Sequence, residues 1–172
     1  AQVARRVEVL AQEDVENAPA SGDCGLVSNL ELSVPRGATV NVRIQEGDVE
    51  ASGVAELTVN NLSGDVDARA VSRTADLSTM SGDISLSDSK GRARPRAVSG
   101  RAEAQALAAL AAGDTFEATS TSGDVTLSGV GHTRVSGATI SGSVHLEGAL
   151  ARGGTYEFKT IFGDVTLALP AD

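Results

Sequence analysis

The chain has 172 residues, a formal net charge of −9, 41% hydrophobic residues and 2% aromatic residues. This length fits one domain, the negative charge argues against nucleic acid as a partner, and the lack of an apolar run of about 18 residues predicts no transmembrane segment. Because the apolar residues are mostly small, the chain can form only a core of modest thickness, and its stability must depend on backbone ladders.

Residues 1–37 do not follow the pattern of the remaining chain. Val7 and Val9 alternate with polar residues and indicate one strand, and the alternation over residues 30–34 indicates another. We therefore expect residues 1–37 to form an N-terminal cap of strands and a loop.

Residues 38–172 contain a repeat that is marked by a glycine. Two and four places after each glycine the residue is apolar, and three places after it the residue is polar. This alternation is typical of a β-strand with one buried face. The spacing of 17 to 23 residues between glycines is typical of a solenoid. The seven repeat glycines are Gly47, Gly64, Gly82, Gly100, Gly123, Gly142 and Gly163.

A second alternation precedes each repeat glycine, with mostly apolar residues seven and five places before it and polar residues between them. Each repeat therefore holds two short strands, and the inward-facing parity changes at the glycine, which requires a corner. Glycine can adopt the backbone angles of such a corner. Because equivalent strands recur in order, the sequence predicts an all-β, single-domain parallel β-solenoid of about seven short coils, two strands per coil, with N- and C-terminal caps and either handedness.

Three of the four aromatic residues lie within the last 17 residues of the chain. We expect Tyr156, Phe158 and Phe162 to form a C-terminal cap over the last coil, because the open end of a sheet needs protection from added strands. The alternative is that these side chains form a docking surface for a partner.

An aspartate follows the glycine in five of the seven repeats. Stacking places neighbouring carboxylates about 5 Å apart, so each one needs a compensating contact. We favour a local structural turn, in which the carboxylate accepts backbone N–H groups of its own corner as in an Asx turn, and predict no metal or cofactor. A row of Ca²⁺ sites is the alternative. These aspartates are Asp48, Asp65, Asp83, Asp124 and Asp164.

Two arginines fall between acidic residues of neighbouring coils in the stacked columns. Such neighbours predict cross-coil ion pairs on the solenoid surface. Binding of anionic polysaccharide or lipid head groups by this region is the alternative. The predicted groups are Asp76, Arg94 and Glu117, and Asp83, Arg101 and Asp124.

No catalytic motif is present in the sequence. His132 and His145 are the only histidines, they match no triad or zinc pattern, and we expect both at the surface. The repetition of the Ser-Gly-Asp phrases argues against a unique catalytic serine. We therefore predict no enzymatic activity and no catalytic residue.

Five phrases carry a resemblance to a known family. They are Val34-Pro35-Arg36-Gly37-Ala38, Ser63-Gly64-Asp65-Val66, Ser81-Gly82-Asp83-Ile84, Ser122-Gly123-Asp124-Val125 and the closing phrase Phe162-Gly163-Asp164-Val165-Thr166-Leu167-Ala168-Leu169-Pro170. In this order they resemble the adhesin-type family of bacterial β-strand-repeat proteins, over about residues 26–170. The resemblance implies a domain of unknown function in exported or membrane-anchored envelope proteins, and it supplies no catalytic residue. Arg101 and Ser143 depart from the pattern, because no aspartate follows the glycine there.

Together these features predict a non-catalytic, exported bacterial envelope protein, in the periplasm or at the cell surface. Its rigid solenoid surface would serve a structural, adhesive or scaffolding interaction with an envelope protein or a polysaccharide, as a monomer or weak oligomer. One alternative is a polysaccharide lyase or hydrolase that uses Asp83, Arg101 and Asp124. Another is a calcium- or glycan-binding module.

Overall fold

The computed structural model describes residues 6–11, 30–33, 38–111 and 113–170, the first two ranges as backbone. Its regular elements within these ranges are sixteen β-strands, none longer than eight residues. The strands are β1 Arg6–Ala11, β2 Leu30–Ser33, β3 Thr39–Glu46, β4 Val49–Ser52, β5 Glu56–Ser63, β6 Val66–Arg69, β7 Thr74–Ser81, β8 Ile84–Ser87, β9 Arg92–Ser99, β10 Ala102–Gln105, β11 Thr115–Ser122, β12 Val125–Ser128, β13 Arg134–Ala138, β14 Val144–Glu147, β15 Thr155–Lys159 and β16 Val165–Ala168.

The strands form two eight-stranded sheets. The odd-numbered strands follow one another in the first sheet, here sheet A, and the even-numbered strands do so in the second, sheet B. All pairs of neighbouring strands are parallel. The predicted parallel β-solenoid with two strands per coil is therefore confirmed. In the described part of the chain, no helix is long and apolar enough to cross a membrane.

Each coil consists of one odd strand and the even strand that follows it. The strand pairs number eight, one more than the glycine-marked repeats, because β1 and β2 pair in parallel with β3 and β4. The segment expected to cap the solenoid thus contributes a coil of its own, while residues 12–29 and 34–37 lie outside the described ranges. At about 4.8 Å per coil, the stack is about 34 Å long.

The register places equivalent residues of successive coils beside one another. Val66 pairs with Ile84, Ile84 with Ala102, and Ala102 with Val125. The side chains of all four residues are buried. From Val49 to Val144, the column of apolar residues two places after the glycine is therefore one continuous row of the core.

The core is narrow and aliphatic, and its largest fully buried side chain is that of Phe116. His132 lies beside this ring, with 6.1 Å between the ring centroids, and is 0% exposed. The expectation that His132 lies at the surface is wrong. Val130 and His132 flank Gly131, which bridges to the neighbouring coil, so alternation turns both side chains inward. His145 lies in an outward column of β14 and is half-buried.

Candidate functional site

The repeat glycines form the corner between sheet A and sheet B in each coil. Their φ angles lie between +121° and +152°. Residues other than glycine rarely adopt these angles. The corners also stack closely, since a Cβ added to Gly82 would lie 2.2 Å from the carbonyl oxygen of Gly64 in the preceding coil. Both constraints exclude other residues at this position.

Carboxylates on the outside of the corner bind the backbone of the next coil. The Oδ1 atom of Asp83 accepts a hydrogen bond from the N–H of Arg101 at 2.7 Å. The same hydrogen bond recurs along the column, at 2.8 to 3.0 Å. The N–H of Asp65 donates to Asp48, that of Asp83 donates to Asp65, and that of Ser143 donates to Asp124. These bonds give the carboxylates a structural role, but they join neighbouring coils and are not the local Asx-type turn that the sequence predicted.

The calcium alternative requires several oxygen ligands around one position. Within residues 38–111 and 113–170, no group of three or more His, Cys, Asp or Glu side chains could hold a metal ion. Asp164, the last member of the column, follows the corner of the last coil and is exposed.

A second polar column lies inside the corner, three places before the glycine, and the sequence reasoning missed it. Its side chains donate hydrogen bonds to the glycine carbonyl of the preceding coil, as Thr139 does to Gly123 at 3.0 Å. The sequence signal for this column was a polar residue at a position that the strand alternation directs inward. The donors are Asn61, Thr79, Ser120, Thr139 and Thr160. Ala97 occupies the same column and carries no donor.

The predicted ion pairs around Arg94 form on one side only. Its Nε atom lies 3.6 Å from Glu117 on the next coil. Arg96 also approaches Glu117, at 3.9 Å. Asp76 is the register partner of Arg94 but belongs to no ion pair among the described residues. These side chains are well exposed, so each pair contributes about 0–1 kcal/mol.

Arg101 likewise turns its side chain toward the later coil, where Asp124 lies 4.0 Å away. Asp83 binds the backbone of Arg101 rather than its guanidinium. A further pair, Arg69 with Asp67 at 2.8 Å, was not predicted. The hydrogen bond to Asp67 and the charge of that carboxylate raise the pKa of Arg69.

Exposed apolar side chains form a straight row along the solenoid, which we call the apolar ridge. It consists of the residue two places before the glycine, on the outward face of sheet A, and its members are 44 to 58% exposed. Serines one place before the glycine border it in most coils. The sequence reasoning missed the ridge, although the column is apolar in five of seven repeats. Its residues are Leu62, Met80, Val98, Ile140 and Ile161.

The C-terminal coil, formed by β15 and β16, covers the core only in part. Tyr156 and Phe158 pack against the core, and the Tyr156 hydroxyl donates to the carbonyl oxygen of His132 at 3.1 Å. Phe162 is 70% exposed and is not among the side chains packed against the core, which does not fit the expected three-residue cap. It lies one place after the last member of the apolar ridge, Ile161.

Within the described residues, nothing covers the C-terminal end of the inward columns of sheet B. Val144 and Leu146 of β14 are 0% and 3% exposed, whereas their register partners in β16, Val165 and Leu167, are 42% and 49% exposed. The C-terminal coil therefore presents an apolar face within the described structure.

The two parallel sheets and the glycine corner define the chain as a parallel β-solenoid repeat protein. The chain belongs to the Toastrack DUF4097 family, whose model matches residues 13–170. This is a family of unknown function, and its description names no adhesin, so adhesion remains a hypothesis. No curated protein and no solved structure matches the chain.

Proposed function

We propose that the protein is a non-catalytic, exported bacterial envelope protein that serves as a rigid scaffold for another protein, in the periplasm or at the cell surface. The apolar ridge is the observation that carries this proposal. Exposed apolar side chains that recur in one column, here interrupted only at Thr121, mark an interaction surface more than scattered ones do. Between Leu62 and Ile161 the ridge spans five coil spacings, or about 24 Å.

The solenoid holds the ridge in a fixed geometry. Leu62, Met80 and Val98 stand on β5, β7 and β9, which are paired on both sides. Ile140 and Ile161 follow shortly after β13 and β15. The corner beside the ridge is stabilised by the aspartate column and the second polar column. A surface that is ordered before binding loses little conformational entropy on association. This arrangement suits a scaffold that offers one extended contact line.

The chemistry of the ridge favours a protein partner over a polysaccharide. Its side chains are aliphatic or thioether groups, which exclude water well but offer no hydrogen bonds to sugar hydroxyls. The apolar core of a protein interface has this character, surrounded by a polar rim. The serine column on one side, and Arg96 and Lys159 in the outward column on the other, supply such a rim.

The enzyme alternative has no comparable support. Of its three nominated residues, Asp83 and Asp124 each use a carboxylate oxygen to bind the backbone of the next coil, which is a structural task. Turnover of uronic-acid polymers by the purified protein, lost in Arg101→Ala, would overturn the non-catalytic assignment.

Cell fractionation tests the compartment, since we expect the protein in the periplasmic or surface fraction.

Site-specific photo-crosslinking in the native bacterium tests the proposed scaffold role. A photoreactive phenylalanine analogue at Met80 samples the ridge, and the same analogue at Gln105, exposed on sheet B, is the control. We expect one discrete protein adduct from Met80 that disappears when Val98→Glu places a charge on the ridge. Identical adduct patterns from the two positions would contradict the proposal.

A further inference from the structure

In the part of the chain that the structure describes, no strand pairs with the outer edge of β15 and β16, which presents backbone groups as well as apolar side chains. In β15, Thr155 N–H donates to Thr133 and the Lys159 carbonyl accepts from Thr139, so both residues face the preceding coil. Because these groups alternate along a strand, those of Tyr156 and Phe158 point to the open edge.

The same alternation holds in β16. The carbonyl groups of Asp164 and Ala168 accept hydrogen bonds from the preceding coil, so the backbone groups of Val165 and Leu167 point to the open edge. The side chains of these two residues are also the exposed members of the inward columns. Both sheets thus end in an edge that a further β-strand can pair with.

The charges of β15 make this edge complementary to itself. Glu157 and Lys159 are both exposed on the outward face, on either side of Phe158. In an antiparallel pair centred on Phe158, Glu157 faces the partner's Lys159 on both sides of the twofold axis. Directly opposite residues of opposite charge stabilise such a pair.

Two other arrangements are less favourable. An antiparallel pair centred on Glu157 would oppose two carboxylates at the closest, non-hydrogen-bonded spacing. Head-to-tail stacking in the register of the other coils would place Glu157 in the same column as Glu8 of β1, again with like charges. The arrangement centred on Phe158 lets the two phenylalanines exchange both backbone hydrogen bonds.

We propose that a second copy of this chain covers the C-terminal coil, in a closed twofold dimer in which β15 pairs antiparallel with the partner's β15 around Phe158. The apolar side chains of β16 and Phe162 lie at the same end of the solenoid, so the second copy also covers them. A twofold interface is closed, so the assembly stops at two copies. This inference is independent of the proposed scaffold role of the ridge.

Sedimentation equilibrium of the full chain across concentration tests the dimer. We expect a mass that rises from 17.4 kDa to twice that value and no further. Glu157→Lys and Lys159→Glu each place two side chains of the same charge opposite one another at both 157–159 contacts of the dimer. We expect each substitution to raise the dimer Kd at least about tenfold. The double variant E157K/K159E exchanges the charges and should restore the parental Kd. Glu50→Lys, a distant exposed site on β4, matches the charge change and should leave the Kd unaltered.

Each result supports or overturns the inference. A monomer at all concentrations, or a mass that grows past the dimer, overturns it. A dimer that is insensitive to both single substitutions uses another surface. A double variant that stays as weak as the single variants, with a circular dichroism spectrum like that of the parent, contradicts the register centred on Phe158.

Discussion

Gly82→Ala tests the steric closure of the corner. The φ angle of Gly82 is +140°, and an added Cβ would lie 2.2 Å from the carbonyl oxygen and 2.6 Å from the carbonyl carbon of Gly64. Both atoms belong to the backbone, so no side-chain rotation relieves the clash, and the two coils must separate.

The expected loss follows from two contributions. A non-glycine residue at this φ angle costs about 1–3 kcal/mol. Separation of the coils lengthens the hydrogen bonds from the N–H of Gly64 to Ser81 and from the N–H of Val66 to Asp83, at 2.9 and 2.8 Å, each worth about 1 kcal/mol net. We therefore expect Gly82→Ala to lower the free energy of unfolding by about 3–5 kcal/mol.

Gly53→Ala is the matched control. Its φ angle is +71°, and no atom lies within 4 Å of an added Cβ. Ala70 and Ala106 occupy equivalent positions after later sheet B strands with φ angles of 53° and 50°, so alanine fits there. We expect a loss of about 1–2 kcal/mol from backbone conformation alone. Urea unfolding followed by circular dichroism measures both changes. Equal losses in the two variants would refute the steric explanation of the repeat glycine.

Further substitutions test the two polar columns and the buried histidine. Ala97→Ser adds a hydrogen-bond donor for the carbonyl of Gly82. We expect it to raise the free energy of unfolding by about 1 kcal/mol, which would appear as a higher urea midpoint. A lowered midpoint would contradict the stabilising role of the second polar column. Asp83→Ala should cost about 1 kcal/mol and Asp83→Asn, which keeps the acceptor, much less, while calorimetry should give one melting temperature in EDTA and in millimolar Ca²⁺. An increase in Ca²⁺ would revive the calcium alternative. His132→Leu removes the 2.6 Å contact with the carbonyl of Gly91 and should cost about 1–3 kcal/mol; an unchanged midpoint would show that this contact is dispensable.

The sequence was sufficient to predict the coil-to-coil register where a glycine anchors the columns. Val66 and Ile84 are register partners because both stand two places after a repeat glycine. No repeat glycine accompanies β1 and β2. Their membership of the solenoid therefore could not be derived from the spacing between repeat glycines. His132 lies in a loop whose length differs between coils, where counting from the glycine no longer gives the side-chain direction.

The apolar ridge and the C-terminal coil were harder to predict because they break the rule that relates polarity to burial. A pattern of apolar and polar residues assigns apolar columns to the core, and Met80 therefore had no evident place on the outside. Phe162 was assigned to a cap because it lies close to Tyr156 and Phe158 in the sequence. Local disagreement between sequence pattern and burial is typical of functional surfaces, and both sites became visible only through the exposure of their side chains.

The parallel stacking of equivalent residues can be measured most directly by NMR on a methyl-labelled sample. We predict nuclear Overhauser contacts between the methyl groups of Val66 and Ile84, of Val125 and Val144, and of Leu127 and Leu146, which are register partners on adjacent coils. Absence of these contacts, or strong contacts between Hα atoms of facing residues as in antiparallel pairs, would contradict the solenoid.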